Sequence, residues 1–126
     1  LPTPVVLDHI ARIPVHEHAS SPRLEVVRRM LGAGRTWVKL SAPYLESRIG
    51  GPTYDDCGPI VRALVDAAPE RMLWGSDWPH PQYFKPMPND VDLLDQMLDW
   101  VPDEKVRNMI FVDNPAEIFG FPPVKT

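Results

Sequence analysis

Acidic and imidazole side chains directly follow two apolar runs of this sequence, at positions where enzymes carry catalytic groups. Asp77 ends the run that begins at Met72, and His9 ends the run that begins at Pro4. A short apolar run bounded by Gly and Pro indicates a buried strand, and a polar residue at its end lies where a parallel sheet binds its ligands. A desolvated carboxylate can act as a general base or bind a metal ion. Asp77 and His9 are therefore the first candidates for catalysis.

Each of these two residues also has a purely structural interpretation. An Asp after a strand commonly caps the next turn by accepting backbone N–H groups, and a His at a strand end is often a hydrogen-bonded core residue. The presence of Asp77 and His9 at the same edge of one predicted sheet favours the functional interpretation.

Further polar side chains fall in the same three loops after strands. Arg12 follows His9, Tyr44 and Arg48 follow the second apolar run, and His80 follows Asp77. These four residues are the candidates for binding substrate. A guanidinium fork suits a substrate carboxylate, although a lone loop Arg is as often a solvated charge. For His80, a structural hydrogen bond to a neighbouring loop remains equally open.

The pattern of elements predicts three parallel βα units. Strand-like runs begin near residues 4, 36 and 72, and the runs alternate with amphipathic segments. Parallel strands need helical crossovers, and all loops that follow such strands open on one face. The predicted helices start at Ser21-Pro22, near Pro59, at Asn89-Asp90 through Trp100, and at Asp103 through Val112, followed by a last turn from Asn114-Pro115 to Gly120.

Apolar spacing predicts which helix faces are buried. In the first helix Leu24, Val27 and Leu31 share one face. In the helix that starts at Asn89-Asp90, the residues expected to point inward are Val91, Leu94, Met97 and Leu98.

Composition excludes several classes of function. The chain of 126 residues has 13 Lys and Arg against 17 Asp and Glu, a net charge of -4, and no concentrated basic patch of the kind that nucleic acids require. No apolar run reaches the length of about 18 residues that a membrane span needs, and no signal peptide is evident. A cytoplasmic location is the expectation. Cys57 is the only cysteine and has no basic neighbour that would favour a thiolate.

The tripeptide His16-Glu17-His18 resembles a metal-binding pattern. A His-x-His sequence on a strand places both rings on one face, where they can bind Zn²⁺. Here the tripeptide lies between Pro14 and the Ser-rich start of a helix. We therefore expect a solvated loop.

Four segments together resemble the C-terminal part of amidohydrolase family 2, and in particular its 2-pyrone-4,6-dicarboxylate lactonase branch. The segments are Val5 to Pro14, Trp37 to Ser41, the string Leu73-Trp74-Gly75-Ser76-Asp77-Trp78-Pro79-His80-Pro81, and Val112 to Pro115. The resemblance implies a (β/α)₈ barrel that hydrolyses a ring ester. It implies that Asp77 is the general base, that His9 polarises the scissile carbonyl or binds a metal, and that Arg48 holds a substrate carboxylate.

The resemblance leaves the cofactor open between none and a divalent metal such as Zn²⁺. Many members of the family bind Zn²⁺ or another divalent ion, whereas the lactonase branch is thought to work without one. His9 and Asp77 are the candidate metal ligands of the complete enzyme.

The chain also departs from the family pattern. Members carry a His-x-His at the end of the first strand, and a barrel of about 250 residues needs about five more βα units before these three. We therefore expect residues 1–126 to form the C-terminal three-eighths of a (β/α)₈ barrel. An open sheet exposes two edges and an apolar inner face, so we expect self-association or pairing with a missing N-terminal half.

The predicted function is hydrolysis of a carboxylated lactone by water that Asp77 activates, with little turnover by the chain alone. One alternative is a metal-dependent decarboxylase of the same superfamily. The other is a catalytically silent half-barrel that serves as an interaction module.

Overall fold

The computed structural model describes residues 2–82 and 86–122, which form one parallel sheet covered by helices. The strands are β1 (Val5–Leu7), β2 (Thr36–Leu40) and β3 (Met72–Trp74), and they lie in the order β1-β2-β3. Val5 lies opposite Thr36, and Val38 lies opposite Met72. Each strand thus pairs in parallel with the next one along the chain, which confirms the predicted βα units.

Five α-helices accompany the strands in the described part of the chain. Short 3₁₀ turns of three to six residues precede several of them. The helices are α1 (Pro22–Gly32), α2 (Gly58–Ala67), α3 (Asp90–Trp100), α4 (Glu104–Asn108) and α5 (Asn114–Phe119). Among the described residues, none of the helices is both long and apolar enough to cross a bilayer.

Helix α1 forms as its sequence predicts. The Ser21 side chain accepts hydrogen bonds from the backbone N–H groups of Arg23 and Leu24, 3.2 and 3.3 Å away, which satisfies donors that have no partner within the helix. Leu24, Val27 and Leu31 are buried against the sheet. Gly34 follows with φ of 88°, a conformation that favours glycine and turns the chain into β2.

The main core lies between the helices and one face of the sheet. Val38 and Leu40 of β2 belong to this core together with Leu64 of α2. Because side chains alternate along a strand, Trp37 and Lys39 point to the opposite face. Trp37 is nevertheless buried, so the predicted exposure of an apolar inner face is wrong at this position.

Helix α3 buries a different face from the one predicted. Of the four residues expected to point inward only Met97 is buried, while Val91, Leu94 and Leu98 are 63%, 46% and 56% exposed. The buried face consists of Leu93, Gln96, Met97 and Trp100. The helix carries apolar residues on two sides, and helical spacing alone does not decide which side meets the core.

The segment after α4 also differs from prediction. The helix expected through Val112 leaves α-geometry after Asn108 and continues as a π-helical segment, Met109–Asp113, directly into α5. Phe111 in this segment packs edge-on against Trp74, with ring centroids 5.6 Å apart. The buried Asn114 side chain donates to the carbonyls of Pro69 and Met72, both 2.8 Å away. The wider turns place these two residues against β3.

Candidate active site

The loops after the three strands bring His9, Ser41 and Asp77 together at the carboxyl end of the sheet. The His9 Nδ1 atom lies 2.9 Å from Ser41 Oγ, and His9 Nε2 lies 3.8 Å from Asp77 Oδ1. The side chains of His9 and Asp77 are 18% and 17% exposed. The two candidate catalytic residues therefore share one partly open site, as their positions after parallel strands predict.

The backbone around this site is strained. His9, Ile10, Ala11 and Arg12 all have φ between 52° and 56°, a left-handed conformation that costs about 1–2 kcal/mol per residue for L-amino acids. Ile10 is branched at Cβ, which makes its positive φ a clear outlier. Such strain persists where the surrounding structure enforces it, and it concentrates at functional sites. No glycine marks this turn in the sequence.

Tyr44 and His80 lie behind Asp77 and form hydrogen bonds with its side chain and with each other. The Tyr44 hydroxyl is 2.5 Å from Asp77 Oδ2 and 3.0 Å from His80 Nδ1. Burial raises the pKa of Tyr44, and the hydrogen bond and negative charge of Asp77 raise this pKa further. The hydroxyl therefore stays protonated and donates to Asp77, so that Oδ2 is occupied while Oδ1 faces His9.

The turn from Asp77 to His80 fixes the relative positions of these two side chains. The backbone N–H of His80 donates to the carbonyl of Asp77 at 2.6 Å, and both residues have left-handed φ, 59° and 60°. His80 is 3% and Tyr44 4% exposed. This burial favours a role in positioning Asp77 for both residues, in place of the predicted contact with substrate.

Asp90 completes this cluster from the start of α3, and the sequence analysis did not single it out. Its Oδ1 atom lies 3.0 Å from His80 Nε2. In the sequence, an acidic residue at the start of a helix is indistinguishable from one that caps the helix or favours its dipole. Only the fold shows that this carboxylate faces a histidine.

The two candidate arginines have contacts outside this cluster. Arg12 Nε forms an ion pair with Glu46 Oε1 at 2.5 Å, and the Arg48 guanidinium lies 3.1 Å from the Nδ1 atom of the exposed His16. His16 belongs to a short 3₁₀ segment, Val15–Ser20, and not to a strand. Because its described side-chain partner is a histidine and not a carboxylate, Arg48 is better suited than Arg12 to bind an anionic group.

Asp56 holds the loop that carries Arg48. Its carboxylate accepts hydrogen bonds from the Ser47 hydroxyl and from the backbone N–H of Arg48, both at 2.6 Å. Although burial alone would raise the pKa of Asp56, these bonds and one from the N–H of Ile49 outweigh it and lower the pKa. The loop is therefore stabilised by the ionised form of Asp56.

Lys39 and Asp8 form a second charged pair near the site, which the sequence analysis missed. Lys39 Nζ lies 2.7 Å from Asp8 Oδ1, on the face of β2 opposite to the main core. A Cβ atom added at Gly75 would lie 3.4 Å from Lys39 Cδ, so the glycine leaves room for this side chain. Lys39 is a charged residue inside an otherwise apolar strand, and this was the signal in the sequence that could have indicated the pair.

Cys57 is a buried free thiol. Burial raises the pKa of the thiol to about 12, and the charges of Asp56 and Glu46 contribute to the shift. The thiol therefore remains protonated at neutral pH and reacts slowly.

An α/β chain of parallel units, with an acid, a histidine and a tyrosine after successive strands, has the organisation of a (β/α)₈-barrel enzyme. The three strands form part of such a barrel. The family model described as "Amidohydrolase" matches residues 1–121. The chain belongs to this amidohydrolase family.

The relatives found by sequence include lactone hydrolases. The chain is 41% identical over 122 residues to 4-sulfomuconolactone hydrolase of Hydrogenophaga intermedia, covering 95% of this chain and 40% of the relative. It is 33% identical over 128 residues to 2-pyrone-4,6-dicarboxylate hydrolase of Comamonas testosteroni, covering 94% and 42%. The chain thus spans about two-fifths of the length of these curated relatives, in their C-terminal part.

Solved structures share the fold. A ligand-free structure from Agrobacterium tumefaciens is 30% identical and superimposes with a TM-score of 0.83, over 97% of this chain and 43% of that one. An amidohydrolase from Burkholderia multivorans with bound zinc is 21% identical, with a TM-score of 0.73 over 95% and 45%. At this identity the second structure supports the fold alone.

The described residues contribute only part of a metal site. No group of three or more His, Cys, Asp or Glu side chains in residues 2–82 and 86–122 could hold a metal ion. His9 and Asp77 could supply two donor atoms, whereas a catalytic zinc takes at least three protein ligands. These residues by themselves do not fit a complete metal centre.

Proposed function

We propose that this chain supplies the general base and an oxyanion-stabilising residue of an enzyme that hydrolyses a small carboxylated lactone. In this proposal residues 1–126 are the C-terminal segment of a (β/α)₈-barrel domain. The observation that carries it is the pair of Asp77 Oδ1 and His9 Nε2, 3.8 Å apart at the carboxyl end of the sheet. The lactone hydrolases among the relatives support the same substrate class.

In the proposed reaction Asp77 takes a proton from a water molecule as the water oxygen attacks the lactone carbonyl carbon. The carbonyl oxygen becomes an oxyanion, which His9 Nε2–H stabilises by a hydrogen bond. The ring C–O bond then breaks, and protonated Asp77 returns its proton to the departing ring oxygen. The products are a carboxylic acid and an alcohol or enol.

Ser41 determines which nitrogen of His9 can donate to the substrate. A neutral imidazole carries one ring proton. If the Ser41 hydroxyl donates to Nδ1 across their 2.9 Å contact, the ring proton lies on Nε2, the nitrogen that faces Asp77. This tautomer is the one that the proposed oxyanion contact requires.

The substrate carboxylate would bind to Arg48 at the rim of the site. Its guanidinium can form two parallel hydrogen bonds to a carboxylate, and the loop that carries it is fixed by Asp56. Arg12 is a second candidate, but a substrate carboxylate would have to compete with Glu46 for its guanidinium group. The alternative to these roles of His9 and Asp77 is a divalent metal in the complete enzyme, for which the two residues would supply two of the ligands.

We propose that the rest of the barrel comes from polypeptide equivalent to the N-terminal part of the relatives. The edges of the described sheet are β1 and β3, and α3 exposes Val91, Leu94 and Leu98. These features suit association with further βα units, or self-association when those units are absent. A cytoplasmic location remains a prediction of the sequence.

A complementation assay tests the proposed function. The chain is combined with the N-terminal part of the Hydrogenophaga relative, and hydrolysis of 4-sulfomuconolactone and of 2-pyrone-4,6-dicarboxylate is measured with and without each part. We expect turnover only in the mixture, and Asp77→Asn in the chain should abolish it. Asp66→Asn is the matched control, because Asp66 is exposed on α2.

The outcomes separate the proposal from its alternatives. Activity that survives Asp77→Asn would remove Asp77 as the base. A mixture that assembles but hydrolyses neither lactone supports the silent interaction module. Loss of all turnover after chelation, restored by Zn²⁺, would show that the reaction depends on metal.

A further inference from the structure

Four side chains from three separate segments form a continuous line that leads away from the proposed catalytic base. Asp77 Oδ2 contacts the Tyr44 hydroxyl at 2.5 Å, and this oxygen contacts His80 Nδ1 at 3.0 Å. On the other side of the ring, His80 Nε2 lies 3.0 Å from Asp90 Oδ1. The line therefore runs from the loop after β3 to the start of α3.

Donors and acceptors can be assigned along this line by counting protons. A tyrosine hydroxyl has one proton to donate, and an ionised carboxylate can only accept. Because Tyr44 donates to Asp77, its oxygen is an acceptor toward His80. The proton of that second hydrogen bond must then lie on His80 Nδ1.

Asp90 contacts the other nitrogen of the ring. Its Oδ1 atom lies 3.0 Å from His80 Nε2 and is buried with no hydrogen-bond partner among the described residues. The His80 ring is therefore held from both sides, by Tyr44 at Nδ1 and by Asp90 at Nε2.

The structure of α3 does not itself require the Asp90 side chain. Asn89 caps the helix, since its Oδ1 accepts from the N–H of Val91 at 2.8 Å. Asp92 supplies a second acidic residue in the first turn. The inward orientation of Asp90 is therefore explained by His80.

We propose that Asp90 is a positioning residue of the reaction, which acts through His80 and Tyr44. It fixes the His80 ring from the Nε2 side, so that Nδ1–H supports the Tyr44 oxygen and the Tyr44 hydroxyl holds Asp77 Oδ2. Asp77 Oδ1 is thereby kept toward His9 and the attacking water. This inference rests on the proposed function for its catalytic consequence, but the hydrogen bond from His80 to Tyr44 can be measured without turnover.

The first test is nuclear magnetic resonance of the imidazole ring protons in the 126-residue chain at neutral pH. We expect an exchange-protected N–H signal from His80 Nδ1, which should be absent in His80→Gln. Asp90→Asn should lose this protection, because the ring is then no longer held at Nε2, and Asp92→Asn should keep it. An unprotected Nδ1–H in the unmodified chain, or equal protection in Asp90→Asn, would overturn the inference.

The second test is kinetic and uses the completed enzyme. We expect Asp90→Asn to lower kcat by about 10- to 100-fold, the range that small misplacement of a catalytic group produces, with KM unchanged. Asp90→Glu, which keeps the charge, should recover part of the loss, and Asp92→Asn should match the unmodified enzyme. In a Tyr44→Phe background Asp90→Asn should have no further effect, because residues acting in series are not additive.

The two tests separate the inference from the proposed function. If hydrolysis occurs and Asp90→Asn is fully active, or if its effect multiplies with that of Tyr44→Phe, the positioning role of Asp90 is wrong while Asp77 can remain the base. If no lactone is hydrolysed but Asp90→Asn loses the protected Nδ1–H signal, the catalytic role falls with the proposed function and the support of the His80 ring by Asp90 stands.

Discussion

The two ends of the sheet both contain buried polar side chains, but they use them differently. At the amino end of β3, Asn114 donates both amide protons to backbone carbonyls, those of Pro69 and Met72. At the carboxyl end, Tyr44, Asp77 and His80 bond to one another. A side chain that satisfies backbone groups stabilises the fold. Side chains that satisfy one another place particular atoms, here Oδ1 of Asp77, which faces His9.

The backbone shows the same contrast. Before β2 the chain turns through Gly34, for which a φ of 88° carries no steric cost. After β1 it turns through four consecutive non-glycine residues, His9 to Arg12, in the left-handed region. The carboxyl end thus holds strain that the amino end avoids, which is the distribution expected when one end is built for chemistry and the other for stability.

The largest effect that tests this contrast is expected at His9. In the completed enzyme, His9→Gln should lower kcat by about 10²- to 10³-fold, the typical loss when one oxyanion donor is removed, while the thermal midpoint changes little. Steady-state kinetics and thermal unfolding measure the two quantities. His18→Gln, at an exposed position of the Val15–Ser20 segment, is the control and should be neutral in both. A large drop in stability with unchanged kcat would make His9 a structural residue.

At the amino end the effects should be reversed. Asn114→Ala leaves two carbonyls without the amide donors, so it should reduce the free energy of unfolding by about 1–3 kcal/mol without changing kcat per folded molecule. Urea denaturation of the chain gives the first value. The exposed Asn108 provides the control, since Asn108→Ala should change the midpoint by much less. Equal effects of the two substitutions would contradict the structural role of Asn114.

A smaller loss of stability is expected at the start of α1. Ser21→Ala removes the acceptor for the N–H groups of Arg23 and Leu24, and loss of such a cap reduces stability by about 1 kcal/mol. Ser20→Ala, at the exposed neighbouring position, should have a smaller effect in the same denaturation experiment. Catalysis should be unchanged in both variants, because neither serine contacts the candidate site.

The smallest expected effect is a pH dependence of stability that involves Asp56. This residue lies among the loops of the carboxyl end, but its carboxylate binds backbone N–H groups. It therefore sharpens the contrast between the two ends. Its pKa is lowered from an ordinary 3.8 in the folded chain. In the acid range the Asp56 carboxyl group therefore binds fewer protons in the folded chain than in the unfolded chain. The stabilisation is fully present above about pH 4–5, and it is lost as the pH falls through 3.8 to the lowered folded value.

Denaturation of the unmodified chain and of Asp56→Asn as a function of pH measures this contribution. The two curves should differ at pH 7 and converge in acid. Asp55→Asn, at an exposed neighbouring position, is the control and should show no convergence of this kind. A difference between the unmodified chain and Asp56→Asn that is constant from pH 7 to pH 3 would contradict the role of the carboxylate.

Much of the fold could be predicted because its signals are local. Ser21-Pro22 marks a helix start wherever it lies in the fold, and an apolar run ending at Asp77 predicts both a strand and the polar residue after it. The same information located His9, Tyr44, Asp77 and His80 in loops that share one end of the sheet. The reason is that parallel strands present all their carboxyl ends together.

The rest depended on contacts between distant segments. The burial of Leu93 in place of Leu94 reflects which side of α3 meets α2, and both sides of that helix are apolar. The π-helical turns at Met109–Asp113 follow from packing against β3, for which the local sequence has no separate signal. Asp90 could not be distinguished from an ordinary helix-start carboxylate until the turn after Asp77 placed His80 beside it.

By itself, the amino-acid sequence determined the order and type of the elements, the family, and the end of the sheet at which polar groups gather. These depend on short-range patterns and on the direction of parallel strands. The tertiary structure alone decided that Tyr44 occupies one oxygen of Asp77, that His80 supports Tyr44, and that Asp90 pairs with His80. Hydrogen bonds and ion pairs depend on distances of about 3 Å, and only the folded chain brings residues from separate segments that close.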